Sequence, residues 1–425
     1  MKKYLITGIV LLAFVSQIAL AAGRQEVTAK PEGPVTLKIL WWGGQARHDK
    51  TLKVLDMYQA KNPGVKFEPT YIGWGEYWDK LAVLAAAEDL PDIYQMVIER
   101  FTQYDEKHLM ADLSAIKSFK TDDIDKSAVS IGKSDGRLVG INLGVNALTL
   151  GYNTGFFDKA GVAYPDVKST WDDIRAASVK IKKSSGVYGI DSMGTDNDML
   201  YYLRTQGAEW FNKELNGPGW DNDKIVVDFW KKCLDFQDNE FVPPIAVVIE
   251  FYSNEENSPF ARDQSAMKTM WSNKVVSVYK TRKAVTKITI LPGPDNEKGM
   301  YLRPSMFFSV AETSKHKPES GAFLDYFLKD IEANQVLAAD RGVPVVQKVR
   351  EALKQVADDQ NKEIYDYISL AGQYCSDMST RFPKAEGEVR NLYRDNFFQQ
   401  VMYKQMTPEQ AVKAFAEQMK VILSR

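Results

Sequence analysis

The stretch VTLKILWWGGQARHDKTLKVLDMYQAKNPGVKFEPTYIGWGEYWDKLAVLAAAEDLPDIYQMV, residues 35–97, decides the fold. Val35 to Trp42 is an apolar, β-branched run that predicts a strand. Leu52, Leu55 and Tyr58 then recur at helical spacing, and Asn62-Pro63-Gly64 stops that helix. Val65, Phe67 and Tyr71 alternate as a second strand. Pro69 inside it has no N–H to donate, which predicts a sheet edge. Tyr77, Leu81, Leu84 and Ala85 mark a second helix, Asp89 to Asp92 a turn, and Ile93 to Val97 a third strand. Parallel neighbours need a crossover, so this βαβαβ order implies a mainly parallel sheet covered by helices.

A second α/β region follows. Leu138–Leu143 and Leu148–Tyr152 read as strands. Thr170 is a helix N-cap before Trp171, with Asp172 and Asp173 in the first turn, where the helix dipole favours anions. Val187–Ile190 is a short strand, and helical patterns dominate from there to about Gln237. Ala266–Met270 and Ile288–Leu291 read as further strands. Gly321–Ala339, Lys348–Ala357 and Thr407–Leu423 read as helices.

A chain of 425 residues exceeds one ordinary core, so two domains are expected. Its 54 basic and 56 acidic residues leave a net charge of -2, without the basic field that a nucleic-acid or membrane-surface partner needs. Lys2 and Lys3, the apolar run Leu5–Val15 and Ala19-Leu20-Ala21 read as a signal peptide over 1–21. A polar leader covers 22–34, and an extracytoplasmic, periplasmic location is expected. Cys233 and Cys375 can pair in an oxidising compartment or stand as two buried thiols; the sequence leaves both readings open.

Ligands of open parallel sheets bind beyond the carboxyl ends of the strands. The first strand is followed there by Trp41, Trp42, Gly43, Gly44, Arg47, His48 and Asp49; the second by Gly73, Trp74, Gly75 and Glu76; the third by Glu99 and Arg100. That mixture suits a sugar. The C–H face of a pyranose packs on an aromatic ring, while its hydroxyls bond carboxylates and guanidinium groups. Each Trp taken alone reads as well as a core residue capping the sheet. No catalytic constellation stands out: there is no G-x-S-x-G elbow, H-E-x-x-H pair or phosphate-binding loop. No cofactor is called for.

The residues resemble a known family, the extracellular solute-binding proteins of carbohydrate ABC importers, family 1, of maltose-binding-protein-like type. The resemblance rests on Trp41-Trp42-Gly43 with Arg47-His48, on Asn62-Pro63-Gly64-Val65, and on Trp74 to Leu81 followed by Leu90-Pro91-Asp92-Ile93. Gly136-Arg137-Leu138-Val139-Gly140-Ile141 is similar to the family's Gly-Lys-Leu-Tyr-Gly-Ile-Pro, with Val139 and Asn142 in place of its Tyr and Pro. Tyr152-Asn153, Phe157, Ala160-Gly161 and Thr170-Trp171-Asp172 form the most specific stretch. Gln264-Ser265-Ala266-Met267 with Trp271, and Arg341-Gly342-Val343-Pro344, complete it.

The resemblance implies a two-lobed periplasmic-binding-protein fold of type II, each lobe a mainly parallel sheet with flanking helices and a hinged cleft between. Crossings are expected near Asn146, Leu291 and Leu328. They put 35–145 plus 292–328 in the first lobe and 146–291 plus 329–425 in the second. The expected ligand-binding residues are Trp42, Arg47, His48, Trp74 and Glu99 on one wall. Asn146, Asp191, Trp210, Trp271 and Arg303 are expected on the other wall and at the crossings. The implied partners are a sugar or oligosaccharide and the transmembrane permease subunits of an ABC importer, with the protein a monomer. Arg47, Arg204 and Arg303 as a carboxylate clamp would suit a uronate-containing ligand. Two alternatives come from other classes: a secreted carbohydrate-active enzyme, since glycosidases also use aromatic clefts with carboxylates, and a ferric or other metal transport protein using Tyr201 and Tyr202.

Overall fold

The computed structural model describes residues 34–251, 257–379 and 381–425. The expected signal peptide and nearly all of the polar leader lie outside the described residues.

Strand Val35–Trp42 runs in register along Val65–Ile72 and takes Ile93–Met96 on its other side, all three parallel. Val65–Ile72 is the sheet edge, where Pro69 costs no ladder bond. The helix between the first two strands, Gln45–Lys61, closes at Asn62, whose N–H reaches the carbonyls of Tyr58 and Gln59. Two more strands complete the sheet. Phe307–Val310 joins antiparallel to Ile93–Met96, and Ile141–Asn142 lies antiparallel to Phe307–Val310.

The second sheet has the order Lys287–Thr289, Leu148–Tyr152, Ser265–Trp271, Tyr188–Ile190. Its last pairing is parallel and the other two antiparallel. Thr170 caps helix Trp171–Ser185 in a reciprocal box with Asp173, a feature worth about 1 kcal/mol. The helical pattern expected up to Gln237 is interrupted. Helices Asp196–Thr205 and Lys224–Asp238 are separated by an antiparallel ribbon, Glu209–Phe211 with Pro218–Gly219. Gly207, at φ +75°, turns the chain out of the first helix into that ribbon.

The lobes meet where Val145–Asn146 pairs antiparallel with Arg303–Pro304 and Val145 also bridges Val343. A Cβ on Gly144 would lie 2.3 Å from the carbonyl oxygen of Arg341, so only glycine lets these segments touch. The chain does not leave the first layer near Leu328. Helices Lys317–Lys329 and Ile331–Leu337 both pack on Gln45–Lys61. Helix Gln347–Val356 is tied to the first lobe by Arg350 on Asp125 at 2.6 Å and Lys348 on Asp123 at 3.1 Å. Only the next helix, Asp359–Ala371, packs on Val275–Arg282 and Lys287–Thr289 of the second layer.

One apolar cluster runs from the first sheet onto Met270, Val275, Ile288 and Tyr367 of the second layer, another takes in Leu150, Ile190 and Met267 of the second sheet, and Trp271 and Met378 pack against both. Cys233, buried in the second core, and half-buried Cys375 are free thiols. Among the described residues no helix is long and apolar enough to cross a membrane.

Candidate ligand-binding cleft

The first wall is aromatic. Trp42 ends its strand buried, at 6% exposure, with the rings of Trp74, Tyr77 and Trp78 around it at 5.0, 4.9 and 5.6 Å. Trp74 opens helix Trp74–Ala86, and Trp78 follows one turn later on the same face. Trp74 remains 52% exposed. It meets Trp78 edge-on at 5.4 Å, so a large apolar ring is held rigidly in contact with solvent. Beyond strand Ile93–Met96, the short turn Ile98–Arg100 sets the Arg100 guanidinium 5.2 Å from the centre of the Trp78 ring.

Glu99 of the same turn leads to the second wall. Its Oε1 lies 3.5 Å from Arg303 Nη2. The Arg303 guanidinium stands 5.3 Å from the Trp271 ring, Trp271 meets Tyr301 edge-on at 5.9 Å, and Arg204 stands 5.2 Å from Tyr301. Glu99, Arg303, Tyr301, Arg204 and Trp210 line one cavity of about 350 Å³, together with residues of the ribbon, Met378, Ser379, Arg381, Phe382 and residues of helix Glu386–Leu392. Five basic side chains (Arg204, Lys213, Arg303, Arg381, Arg390) face three carboxylates (Glu99, Glu209, Glu386) around it.

The cations differ in how they are partnered. Arg204 is paired with Glu209 and also donates to Ser376 Oγ at 2.6 Å and the carbonyl of Asp377 at 2.8 Å. Arg390 lies between Asp196 at 2.9 Å and Glu386 at 2.6 Å, with its guanidinium 5.7 Å from the Trp210 ring. Burial raises the Glu209 carboxyl against the opposing pull of Arg204. Two buried donors on this cavity, Arg204 Nε and Trp210 Nε1, have no hydrogen-bond partner. A buried donor left unpaired costs about 1–3 kcal/mol.

The structure thus brings Glu99, Trp210 and Arg303 onto one cavity, with Trp271 and Asn146 beside Arg303 and the Trp42–Trp74 shelf on the first wall. Three expected residues lie elsewhere. Arg47 is on the first turn of its helix and bonds Asp340 at 2.6 Å. His48 is buried against Tyr71 at 4.5 Å and accepts from Trp41 Nε1 at 3.2 Å; burial, and next the adjacent Arg47, lower its pKa. Asp191 is wholly enclosed and paired with Lys268 at 2.9 Å. Strand-end position does not specify the direction a side chain takes once a helix starts immediately after. The Arg47–Arg204–Arg303 clamp is therefore not assembled. Tyr201 is buried, its hydroxyl donating to the carbonyls of Leu291 and Pro292, while Tyr202 lies on Phe229. Trp78 had a sequence signal in its four-residue spacing from Trp74; Tyr301, Lys213, Arg381 and Arg390 had none.

The chain is similar in sequence and fold to known binding proteins. An arabinooligosaccharide-binding protein of Bacillus subtilis is 25% identical over 224 residues, 50% of each chain. This chain therefore spans about half the length of that relative. A family 1 extracellular solute-binding protein of Alicyclobacillus acidocaldarius has the same fold at a TM-score of 0.86 and 23% identity, over 93% of this chain and 100% of the other. A periplasmic oligogalacturonide-binding protein of Yersinia enterocolitica matches at a TM-score of 0.75 and 21% identity, over 92% and 99%. The sequence model of the bacterial extracellular solute-binding proteins covers residues 46–333, well over half of the chain, and this protein, with its two-lobed fold, belongs to that family of binding proteins.

Proposed function

We propose that this protein is the extracytoplasmic receptor of an ABC importer that captures an oligosaccharide between its lobes and delivers it to the permease. One observation carries the reading: Trp74 presents a half-exposed ring, fixed by Trp42 and Trp78, and Arg100 on the Trp78 ring is the chain neighbour of Glu99, which lines a cavity rich in hydrogen-bonding groups. A pyranose matches that pairing of apolar face and polar rim. The sugar-binding relatives support the class of ligand. Within it we favour an acidic, uronate-containing oligosaccharide, because cations outnumber carboxylates around the cavity.

The capture step is hinge closure. A ligand that touches both walls only in the closed state shifts the population toward closure. We place the three crossings at Asn146, at Arg303–Pro304 and between Val356 and Asp359, where short pairings and single turns join the layers. The permease would then read the paired surfaces of the closed form, and an N-terminal signal would export the chain. Small-angle scattering with a panel of oligosaccharides tests this. Compaction together with a thermal upshift for at least one sugar is the expected result. No compaction and no upshift across neutral and acidic sugars would end the proposal.

A further inference from the structure

The charges in the cavity do not cancel evenly. Arg204 and Arg390 are matched by Glu209, Asp196 and Glu386. Lys213 and Arg381, both exposed on the rim, have no ion-pair partner among the described residues. Arg303 has only Glu99, at 3.5 Å, with both side chains about a third or more exposed, and an ion pair that long and that wet holds weakly. Three cations therefore converge on one opening with a single loosely held counter-ion.

Buried groups at the same place point the same way. Arg204 Nε and Trp210 Nε1 are enclosed donors without acceptors. Tyr301, enclosed between Arg204 and Trp271, supplies an apolar face beside them.

Resting on the proposal that this cleft binds an oligosaccharide, we infer that Arg303, Arg381 and Lys213 form a carboxylate-exchange subsite. The carboxylate of an acidic sugar displaces Glu99 from Arg303 and settles among the three cations, with the sugar ring against Tyr301. Glu99 is then a competitor that sets selectivity. A neutral sugar cannot replace its charge on Arg303 and leaves the ion pair intact, whereas a uronate exchanges one carboxylate for another and gains two further cations. Guanidinium groups suit the task because they bind carboxylates with paired donors.

The test is calorimetry of the full-length mature chain with digalacturonic acid and with its dimethyl ester, which keeps the sugar and removes the charge. The wild type is expected to prefer the acid. Lys213→Met and Arg381→Met should each lower the acid-to-ester affinity ratio by about tenfold. Glu99→Gln should tighten the acid and raise the acid-to-ester affinity ratio several-fold. All three side chains are exposed, so thermal melts should match wild type. Wild-type protein that binds acid and ester equally overturns the subsite. So does an acid-to-ester ratio unaltered in all three variants. If Trp74→Ala weakens both ligands in those cases, the sugar cleft stands and only the subsite falls; if Trp74→Ala changes neither, the cleft itself is misassigned.

Discussion

Arg341 donates from Nε to Gln95 Oε1 at 3.1 Å, and Gln95 passes the contact on, its Nε2 reaching the carbonyl of Trp42 at 3.3 Å. Arg341 is fully enclosed among Phe308, Phe327 and Thr51, and burial, followed by repulsion from Arg47, pushes its pKa down to about 9. A late segment of the chain thereby fixes the end of the first strand, where the aromatic shelf begins. Gln95→Leu removes the acceptor of a buried guanidinium and the donor to Trp42 together. It should destabilise the protein by about 2–3 kcal/mol in urea melts.

The shelf itself separates stacking from core packing. Trp74→Ala should weaken sugar affinity by about 1–3 kcal/mol with little change in melting temperature, because its ring is half in water. Trp42→Ala removes a buried ring and should cost about 3–5 kcal/mol of stability. Calorimetry and thermal melts on the two variants distinguish the roles.

His48 makes stability depend on acid. Its folded-state pKa lies below the ordinary imidazole value, so the unfolded chain takes up the proton first. Stability is whole above about pH 6.5 and is lost as pH falls through the lower folded value. His48→Gln keeps an acceptor for Trp41 Nε1 but cannot protonate. Urea melts from pH 7 to pH 4 should show a shallower loss in this variant.

Asp198 acts with the opposite sign. It is enclosed, one of its oxygens has no partner, and burial pushes its carboxyl up to about 6. The folded state holds the proton more tightly, so its contribution is full below the unfolded value and is lost as pH rises through 6. Asp198→Asn imitates the protonated form. It should melt above wild type at pH 8, by about 2–3 kcal/mol at 1.36 kcal/mol per unit, with the difference fading by pH 4.

The thiols should be inert in the native protein. Cys233 lies in the second core, and burial pushes the Cys375 thiol up to about 12, leaving almost no thiolate at neutral pH. Iodoacetamide at pH 7 should label neither until denaturant is added, and a reductant should leave the melting temperature unchanged.

Local order was legible in the amino-acid sequence. The strand from Val35 to Trp42, the stop at Asn62, the edge position of Pro69 and the Thr170 cap all follow from side-chain periodicity and backbone chemistry within a few residues. These effects need no distant partner, so the βαβαβ start and the aromatic strand end could be read before any coordinates. Only the tertiary structure decided which side chains face the cleft. Helix Gln45–Lys61 begins so soon after Trp42 that Arg47 and His48 turn toward Asp340 and Tyr71. Helix Glu386–Leu392 with Met378, Ser379, Arg381 and Phe382 arrives from the far end of the chain to complete the cavity beside Arg303. The Trp42–Trp74 wall was therefore written locally, while the cation-lined wall exists only because packing of the two layers brings Glu99 to Arg303, and no spacing in the sequence encodes that distance.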